Sequence, residues 1–419
     1  MTNRLFLYGT IFFCLAIQVG VAKTIIVNPS GTVRSIKDAI NLAQNGDTIL
    51  VMRGVYREGN IILEKSIVLR GDNFPVLDGE NKYEIMTIHA NGVVVTGFAF
   101  KDTGVASVND LAAVKVLDSK HVKIVGNQFN NTFFGIYLAN TTRSWIENNQ
   151  LQANAEAEHQ MGNGIHLWKC DQITINNNSI RGHRDGIYFE FVTNSLITNN
   201  HSDRNLRYGL HFMFSHNDEY RDNTFINNGA GVAVMYTKNV TMIGNHFEHN
   251  WGSSAYGLLL KDIRDSHVNN NTFIQNSTAI FMEGTSRTQF KENVFSRNGY
   301  AVKLQASCDD NTFERNNFSA NTFDIATNGN MVLNTLSNNY WDRYEGYDMN
   351  RDGIGDVPFR PVSMYAMIVE RIPTAVLLWR SFLVFLMDRA EKAIPVMTPE
   401  NLKDESPSMR PHDIHLPGK

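Results

Sequence analysis

This 419-residue chain has few cysteines, no surplus of positive charge and few long apolar segments. Of its three cysteines, Cys14 lies near the N-terminus, and only Cys170 and Cys308 lie further along the chain. Two widely separated cysteines do not make a disulfide framework, so packing and hydrogen bonds must stabilise the fold. A net charge of −4 and a pI near 6.4 leave no excess of lysine and arginine to bind the phosphates of a nucleic acid. We therefore expect neither disulfides nor a nucleic-acid partner.

Motifs for nucleotide binding and nucleophilic catalysis are also missing. The sequence contains no phosphate-binding loop, no Rossmann fingerprint and no nucleophile elbow. Any ATP-dependent step would have to be supplied by another protein.

The N-terminal segment 1–22 has the pattern of an export signal. Arg4 precedes an apolar run, and the small residues Gly20 and Ala22 stand at cleavage-like positions. An uncleaved membrane anchor fits less well, because Gln18 and two glycines interrupt a run that is already at the lower limit for spanning a bilayer. The sequence predicts an exported protein.

A short repeat organises most of the chain. Apolar phrases begin at Gly135, Gly164, Gly186, Gly209, Gly231, Gly257, Ala279 and Ala301, and the intervals between successive starts are 29, 22, 23, 22, 26, 22 and 22. Each phrase alternates with period two and is too short for a helix, which predicts brief strands separated by turns. A fixed period near 22 is typical of a solenoid. The predicted fold class is all-β, a right-handed parallel β-helix.

Asparagines recur in step with these phrases. One stands 14 places after each of the first seven starts and 15 places after the eighth, giving Asn149, Asn178, Asn200, Asn223, Asn245, Asn271, Asn293 and Asn316. Stacked asparagines hydrogen-bond along the pile and tolerate turn conformations. We interpret them as structural ladders rather than as catalytic or glycosylated residues.

The segments that flank the repeats predict caps. An amphipathic helix near Ser35 to Ala43 would cover the first coil. The last residues, rich in proline and charge, predict disorder. The predicted organisation is a signal peptide at 1–22, a β-helix at 23–340, an Asp-rich closing loop at 341–361, a C-terminal helical segment at 362–394 and a disordered tail at 395–419.

Alternation within the repeats assigns side chains to faces. The first and third residues after each start are apolar and face the core, so the second and fourth face outward and stack into two columns. One column contains His166 and His211, and the other contains Met213 and Met235 on neighbouring coils. Thioether and imidazole donors without paired thiolates suit copper, especially Cu(I). His216, in the turn after the strand, could join this candidate copper site by loop movement.

Two other functions compete with a copper site on this face. An exposed Met/His patch could be a docking surface, because methionine adapts to partner proteins, or the face could bind carbohydrate. Parallel β-helices often act on polysaccharides, and Asp185 and Glu190 share a coil with His183 and Tyr188. A lyase or epimerase could use such groups as acid and base. The pattern is weak evidence for catalysis.

An Asp-rich loop follows the last repeat. Asp348, Asn350, Asp352 and Asp356 have the spacing of an oxygen-ligand calcium loop, with Gly353 in the turn position. The alternative is an ordinary Asx-rich turn that closes the solenoid. The pattern leaves both interpretations open.

An apolar segment from Ile372 to Met387 follows the loop. Pro373 stands at a helix-start position, and the segment contains Arg380 and is too short to span a bilayer. A helix that is apolar on most faces must be buried by the end of the solenoid, by a membrane surface or by another protein.

Several of these features together resemble the NosD family, the maturation proteins of nitrous oxide reductase. They are the export signal, the solenoid with "GLHFMFSHNDEYRDNTFINNGAGVAVMY", the "NYWDRYEGYDMNRDGIGDVPFRP" closure and the apolar C-terminal segment. The repeats alone would indicate only the carbohydrate-binding and sugar-hydrolase β-helix superfamily. The methionine phrases and the terminal segment are the specific part of the resemblance.

The resemblance implies a periplasmic, non-enzymatic protein docked at the cytoplasmic membrane on an ABC transporter made of a permease and its ATPase. It would accept copper from a lipoprotein chaperone and help to load the copper centres of nitrous oxide reductase. The permease would bury the apolar segment through Leu378, Trp379, Phe382 and Phe385. A polysaccharide lyase or epimerase, or a non-catalytic glycan binder, are the alternative hypotheses.

Overall fold

A computed structural model describes residues 22–106, 109–154, 161–252, 254–329, 333–393 and 398–414. Over these residues the chain coils into a solenoid of three parallel sheets, and each full coil adds one strand to each sheet. The predicted parallel β-helix is confirmed. The predicted signal peptide lies outside the described residues except for Ala22.

The strands are short, and the repeats set their bounds. Sheet A contains Thr24–Val27, Thr48–Val51, Val68–Gly71, Val94–Thr96, Lys123–Val125, Thr142–Glu147, Asp171–Asn176, Leu196–Thr198, Glu219–Arg221, Thr241–Ile243, His267–Asn269, Gln289–Lys291, Thr312–Glu314 and Thr335–Ser337. Sheet B contains Val55–Tyr56, Val76–Asp78, Ala99–Lys101, Gln128–Asn130, Gln150–Gln152, Ser179–Arg181, His201–Asp203, Thr224–Ile226, His246–Glu248, Thr272–Ile274, Val294–Ser296, Asn317–Ser319 and Tyr340–Trp341. Sheet C contains Ile61–Leu63, Met86–Ile88, Ala112–Leu117, Phe134–Ala139, Ile165–Trp168, Ile187–Glu190, Tyr208–Met213, Ala230–Lys238, Tyr256–Arg264, Thr278–Glu283, Tyr300–Leu304 and Phe323–Thr327.

Stacked side chains fill the interior of the solenoid. In sheet B a continuous ring stack has centroid separations of 4.2–5.4 Å, formed by Phe225, Phe247, Phe273, Phe295, Phe318 and Trp341. Cys170 and Cys308 are buried as free thiols, which confirms that they form no disulfide. Parallel in-register pairing puts like residues above one another, so every coil buries the same positions.

The predicted asparagine ladder is confirmed, and it extends by one member at each end beyond the eight asparagines that follow the repeat phrases. Asn149 donates from its backbone N–H and its side-chain Nδ2 to Oδ1 of Asn178, both at 3.0 Å. The same pattern links Asn127, Asn149, Asn178, Asn200, Asn223, Asn245, Asn271, Asn293, Asn316 and Asn339. A second ladder joins Asn205, Asn228, Asn250, Asn276, Asn298 and Asn321. Buried amides are thus paired along the whole stack.

The N-terminal cap has the predicted form. Helix α1, Ile36–Leu42, begins after Ser35, whose side chain accepts from the N–H of Asp38. Glu58 accepts from the N–H groups of Ile36 and Lys37. A capping side chain and a carboxylate satisfy the exposed N–H groups of the first turn.

The apolar C-terminal segment is not one helix. Helix α2, Met364–Arg371, buries Tyr365, Ala366, Met367 and Val369 at the end of the solenoid. A 3-10 helix, Pro373–Leu378, and helix α3, Phe382–Ala393, follow. The break falls where Arg380 takes a φ of 64°, a left-handed conformation that ends a helix. Among the described residues, no helix has both the length and the apolar character that a membrane crossing needs.

The tail also differs from its prediction. Composition predicts a disordered tail at 395–419, but its described residues, 398–414, run along the last coil. Asp404 bridges to Leu336, and the backbone of His412 exchanges two hydrogen bonds of 2.9 Å with the side chain of Asn317. These contacts order a segment whose composition alone would leave it disordered.

Asp404 is the centre of this attachment. It is fully buried, and its carboxylate accepts hydrogen bonds of 3.0–3.1 Å from Asn338 N, Asn339 N, Asn339 Nδ2, Trp341 Nε1 and Ser406 N. It takes the place that the next asparagine would hold in the first ladder. The tail therefore closes the ladder at the C-terminal end.

Candidate functional site

The outer face of sheet C carries the two predicted columns. His211 pairs with Ala233 across neighbouring strands, and Met213 pairs with Met235. His166 lies two coils before His211, with Tyr188 between them. The register inferred from the repeat is therefore confirmed, and Met213 and Met235 are neighbours on adjacent coils.

His211 is outward-facing but not exposed. Only 6% of it is accessible, because the rings of Tyr208 and Tyr188 pack on it at centroid separations of 4.7 and 5.2 Å. Within the part of the chain that the structure describes, neither ring nitrogen has a hydrogen-bond partner. Burial, with added repulsion from Arg207 and Arg184, lowers the pKa of His211 to about 4. The imidazole is neutral at physiological pH, so one of its ring nitrogens carries a lone pair that could bind a metal ion.

Small and flexible side chains surround His211 on the next coil. Ala233 projects to the same face but is completely buried, which requires that the larger residues around it close over it. Met213 and Met235 are partly buried beside it. Residues two apart on a strand are about 6.6 Å apart, and adjacent coils about 4.8 Å, so these thioethers and the imidazole are within mutual reach.

His166 has a different environment from His211. Its ring stacks between Tyr137 and Tyr188 at 4.6 and 4.8 Å, and its Nδ1 lies 3.0 Å from Nδ2 of Asn163. Arg184 can only donate, and it contacts Oδ1 of Asn163 at 3.2 Å, so the amide turns its NH₂ to the histidine. Nδ1 is then an acceptor and the proton lies on Nε2. This imidazole is already engaged at one nitrogen and protonated at the other.

His216 is not brought to the methionines. Phe214 takes a φ of 51°, which turns the chain away from sheet C. His216 then forms a β-bridge to Thr193, between sheets C and A. It lines a pocket of about 280 Å³ whose other walls do not include Met213 or Met235. The pocket is formed by His216, Tyr236, Thr237, Lys238, Asp262 and Arg264.

Of the acid–base candidates, Asp185 and His183 are buried, whereas Tyr188 and Glu190 are partly exposed. Asp185 is fully buried and lies 3.7 and 3.9 Å from the guanidinium nitrogens of Arg184 and Arg207. Tyr188 donates to Glu190 at 3.4 Å. His183 is fully buried, and burial lowers its pKa to about 3. A carboxylate without solvent access cannot flank a glycosidic bond.

The Asp-rich loop uses its carboxylates internally. Asp348 accepts from the N–H groups of Arg351, Asp352 and Gly353, and Asp356 accepts from the N–H of Met349. Asp352 also accepts from Asn350 Nδ2 at 3.1 Å. These are the bonds of an Asx-rich turn. Within the described residues, no group of three or more His, Cys, Asp or Glu is placed to hold a metal ion, so calcium binding stays a prediction.

The predicted partner-binding residues divide into two sets. Phe382, Phe385 and Leu378 are exposed by 74%, 53% and 47%. Trp379 instead packs on the end of the solenoid, 5.3 Å from the ring of Phe323 and 5.9 Å from that of Tyr365. The exposed residues form an apolar surface that the solenoid does not cover.

Comparison with known proteins gives one family. The model of the family described as periplasmic copper-binding protein (NosD) matches residues 153–347, which include both copper-candidate methionines. The resemblance to the NosD family is confirmed. A probable ABC transporter binding protein NosD of Stutzerimonas stutzeri is 25% identical over 370 residues, covering 84% of this chain and 85% of the relative. The NosD of Pseudomonas aeruginosa, named in the same words, is 26% identical over 400 residues, covering 89% and 91%.

Solved structures show the same fold on unrelated activities. A family 28 exopolygalacturonase of Yersinia enterocolitica has a TM-score of 0.61 with 11% identity, covering 76% of this chain and 78% of that enzyme. A GH87 α-1,3-glucanase of Streptomyces thermodiastaticus has a TM-score of 0.57 with 14% identity, covering 73% and 65%. At such identities the likeness concerns the fold alone. The NosD relatives are named as binding proteins rather than as enzymes.

Proposed function

We propose that this chain is a periplasmic accessory protein that accepts and passes copper, as Cu(I), within an ABC transporter complex for the maturation of nitrous oxide reductase. The observation that carries the proposal is the buried imidazole of His211, unpaired among the described residues, beside the stacked pair Met213 and Met235. The NosD relatives, named as ABC transporter binding proteins, support the cellular setting. A lipoprotein chaperone would deliver the copper, as the resemblance implies.

The donor set fits a soft, monovalent ion. A metal ligand must be deprotonated, and His211 meets this condition at neutral pH because burial lowers its pKa to about 4. Thioethers favour Cu(I) over zinc, calcium or magnesium. The positive potential of Arg184 and Arg207 repels a divalent ion twice as strongly as a monovalent one. His211, Met213 and Met235 are therefore the proposed ligands, whereas His166 and His216 are placed less favourably.

A Met213→Leu/Met235→Leu variant tests the site. Leucine keeps the volume and apolar character of methionine but has no sulfur, so the fold should persist. We expect the affinity for Cu(I), measured by anaerobic titration against a chromogenic chelator, to fall by about a hundredfold or more, because both soft ligands are lost. Met349→Leu, which removes an 80% exposed methionine elsewhere, is the matched control and should bind as the wild type does. Equal affinities for all three proteins would refute the site.

The apolar surface of Leu378, Phe382 and Phe385 is the proposed contact with the permease. Exposed apolar surface of this kind is costly in water and marks a protein or membrane contact. The adjacent α2 is buried on the solenoid, which would hold the surface at a fixed end of the molecule.

A Phe382→Ser/Phe385→Ser variant tests this contact. We expect its affinity for the purified permease–ATPase complex, measured by surface plasmon resonance, to fall at least tenfold, because two buried aromatic anchors are lost. Phe191→Ser/Phe214→Ser is the matched control, since these residues are a second pair of exposed phenylalanines, 43% and 37% accessible, on the solenoid surface. Comparable loss in both variants, or in neither, would contradict docking through the C-terminal segment.

A further inference from the structure

Two tyrosine rings stand between His211 and the solvent. The ring of Tyr208 lies on the imidazole with a centroid separation of 4.7 Å, and the ring of Tyr188 packs on it edge-on at 5.2 Å. With these rings in place only 6% of His211 is accessible. A metal ion can therefore reach the imidazole nitrogens only if one of the two rings moves.

Tyr188 is held at both ends of its side chain. Its hydroxyl donates to Glu190 at 3.4 Å, and its ring stacks on His166 at 4.8 Å with 19° between the ring planes. Rotation of the Tyr188 ring would break both contacts. Tyr188 is therefore the fixed part of the cover.

Tyr208 has fewer restraints. Over the described ranges its hydroxyl makes no hydrogen bond, and the partners of its ring are His211 and the guanidinium of Arg207, at 5.1 Å. The backbone is fixed, because the carbonyl oxygen of Tyr208 accepts from the N–H of Gly186 at 2.8 Å and the residue pairs with Ala230 on the next strand. A rotamer change needs no backbone movement. Tyr208 is therefore the part of the cover that can turn.

The next coil supplies the floor beneath Tyr208. Ala230 and Ala233 project to the outer face beside Tyr208 and His211, and both are buried although each side chain is a single methyl group. Tyr256 holds the position after Ala230. Burial and then the Tyr208 hydroxyl raise the pKa of Tyr256, so the two hydroxyls interact across the alanine. Rotation of Tyr208 away from His211 would uncover this small-residue floor and open a recess beside the imidazole.

The walls of this recess contain soft ligands. Ala233 lies between His211 and Leu259 in one column, and Met213 and Met235 lie in the neighbouring column. An ion that enters would meet one imidazole, two thioethers and apolar groups. These are the surroundings that suit Cu(I).

We propose that Tyr208 is the gate of the copper site. Its ring turns away from His211 to admit Cu(I), and it closes over the imidazole when the site is empty. The proposal rests on the proposed copper site and adds the residue that controls access to it. Because the metal-free chain is mostly closed, the gate slows the entry of copper by the fraction of time that it is open.

Chemical modification by diethyl pyrocarbonate tests the cover without any metal. The reagent acylates neutral imidazole nitrogens that it can reach, and peptide mass spectrometry reports each histidine separately. In the metal-free full chain we expect Tyr208→Ala to react at His211 at least ten times faster than the wild type. His249, whose side chain is 42% exposed, is the internal reference and should react at one rate in all proteins. Equal rates at His211 would overturn the gate.

Two further variants separate a gate from a general loosening of the fold. Tyr208→Phe keeps the ring and removes only the hydroxyl, so it should protect His211 as the wild type does. Tyr83→Ala removes a 37% exposed tyrosine near the N-terminal end and should also leave His211 protected. Loss of protection in Tyr83→Ala equal to that in Tyr208→Ala would count against the gate.

Copper kinetics and NMR measure the movement itself. Cu(I), supplied anaerobically as its acetonitrile complex, should bind Tyr208→Ala at least ten times faster than the wild type in stopped flow, because no ring has to move. In the wild type with ¹³C-labelled tyrosine rings, Cu(I) should abolish the NOE between Tyr208 and His211 and leave that between Tyr188 and His166 unchanged. Equal association rates, or a Tyr208–His211 NOE that persists at saturation, would overturn the gate.

Failure of the gate and failure of the copper site give different results. Absence of Cu(I) binding to both the wild type and Tyr208→Ala would refute the proposed function, and the metal gate with it. Binding that is lost in Met213→Leu/Met235→Leu, but is equally fast in the wild type and Tyr208→Ala, would keep the copper site and refute the gate alone.

Discussion

Replacement of Asp404 by alanine is expected to release the C-terminal tail and open the last coil. The change removes the acceptor for five donors, three of them buried, and four of the five belong to the last coil through Asn338, Asn339 and Trp341. Each unpaired buried donor costs about 1–3 kcal/mol, and part of this cost is recovered when the coil opens to water. We expect the free energy of opening of this coil to fall by about 3 kcal/mol, which corresponds to roughly a hundredfold faster amide exchange.

Hydrogen exchange followed by mass spectrometry measures this effect in peptides that span 333–345. Asp404→Asn is the graded control, because an amide oxygen can keep the ladder bonds to Asn339 while its NH₂ faces the donors on Asn338 and Ser406. Asp404→Asn should lose about half as much protection from hydrogen exchange as Asp404→Ala does. Glu405→Ala, at the exposed neighbouring residue, should lose none. Protection in Asp404→Ala equal to that of the wild type would show that the tail does not hold the coil.

Acidification below pH 6.5 is expected to destabilise the fold through His183. Its pKa is about 3 in the fully buried site and about 6.5 when unfolded, so between these values the unfolded chain binds the extra proton. Stability is therefore retained at high pH and lost as pH falls through this window. At pH 5 the loss from this histidine amounts to about 2 kcal/mol. Asp324, whose pKa is raised to about 6 by burial, acts in the opposite direction.

A His183→Asn variant isolates this contribution. The backbone N–H of His183 already donates to Oδ1 of Asn205, so an asparagine here would extend the second ladder by one member. Urea unfolding at pH 7.5 and pH 5 gives the change in the free energy of unfolding of each protein. Asp324 is present in both proteins, so its contribution cancels when the two changes are subtracted. The wild type should lose about 2 kcal/mol more than the variant between these pH values. The exposed His267→Asn should behave as the wild type does; an equal pH dependence of wild type and His183→Asn would refute the buried neutral histidine.

The repeat predicted more of the fold than of the site. Strict in-register stacking made the pairing of Met213 with Met235 predictable from spacing alone. Alternation gives the side of a strand on which a residue lies, but not what covers it. It assigned His211 to the outer face correctly and could not show that Tyr188 and Tyr208 bury it there.

Long-range partners account for what the sequence did not predict. The tail had the composition of a disordered segment, and its order depends on a hydrogen bond between Asp404 and Asn339, which lies far earlier in the chain. The second ladder did have a signal, since Asn205, Asn228 and Asn250 each follow a member of the first ladder by five residues. Arg184 and Arg207 had a signal too, since each stands two residues before a phrase start, at Gly186 and Gly209.

The first asparagine ladder behaves as an aligned row of dipoles. From Asn127 to Asn339 each side-chain Nδ2 donates one hydrogen bond to the next member of the row, toward Asp404, and another to a backbone carbonyl of an earlier coil. A carboxylate at that position is favoured by the whole row, as an anion is by the N-terminus of a helix, and aligned hydrogen bonds strengthen one another. The row passes beneath the coils that carry Met213 and Met235. The carboxylate of the tail thus accepts the last hydrogen bond of a row of amides that runs through the same coils as the proposed copper ligands.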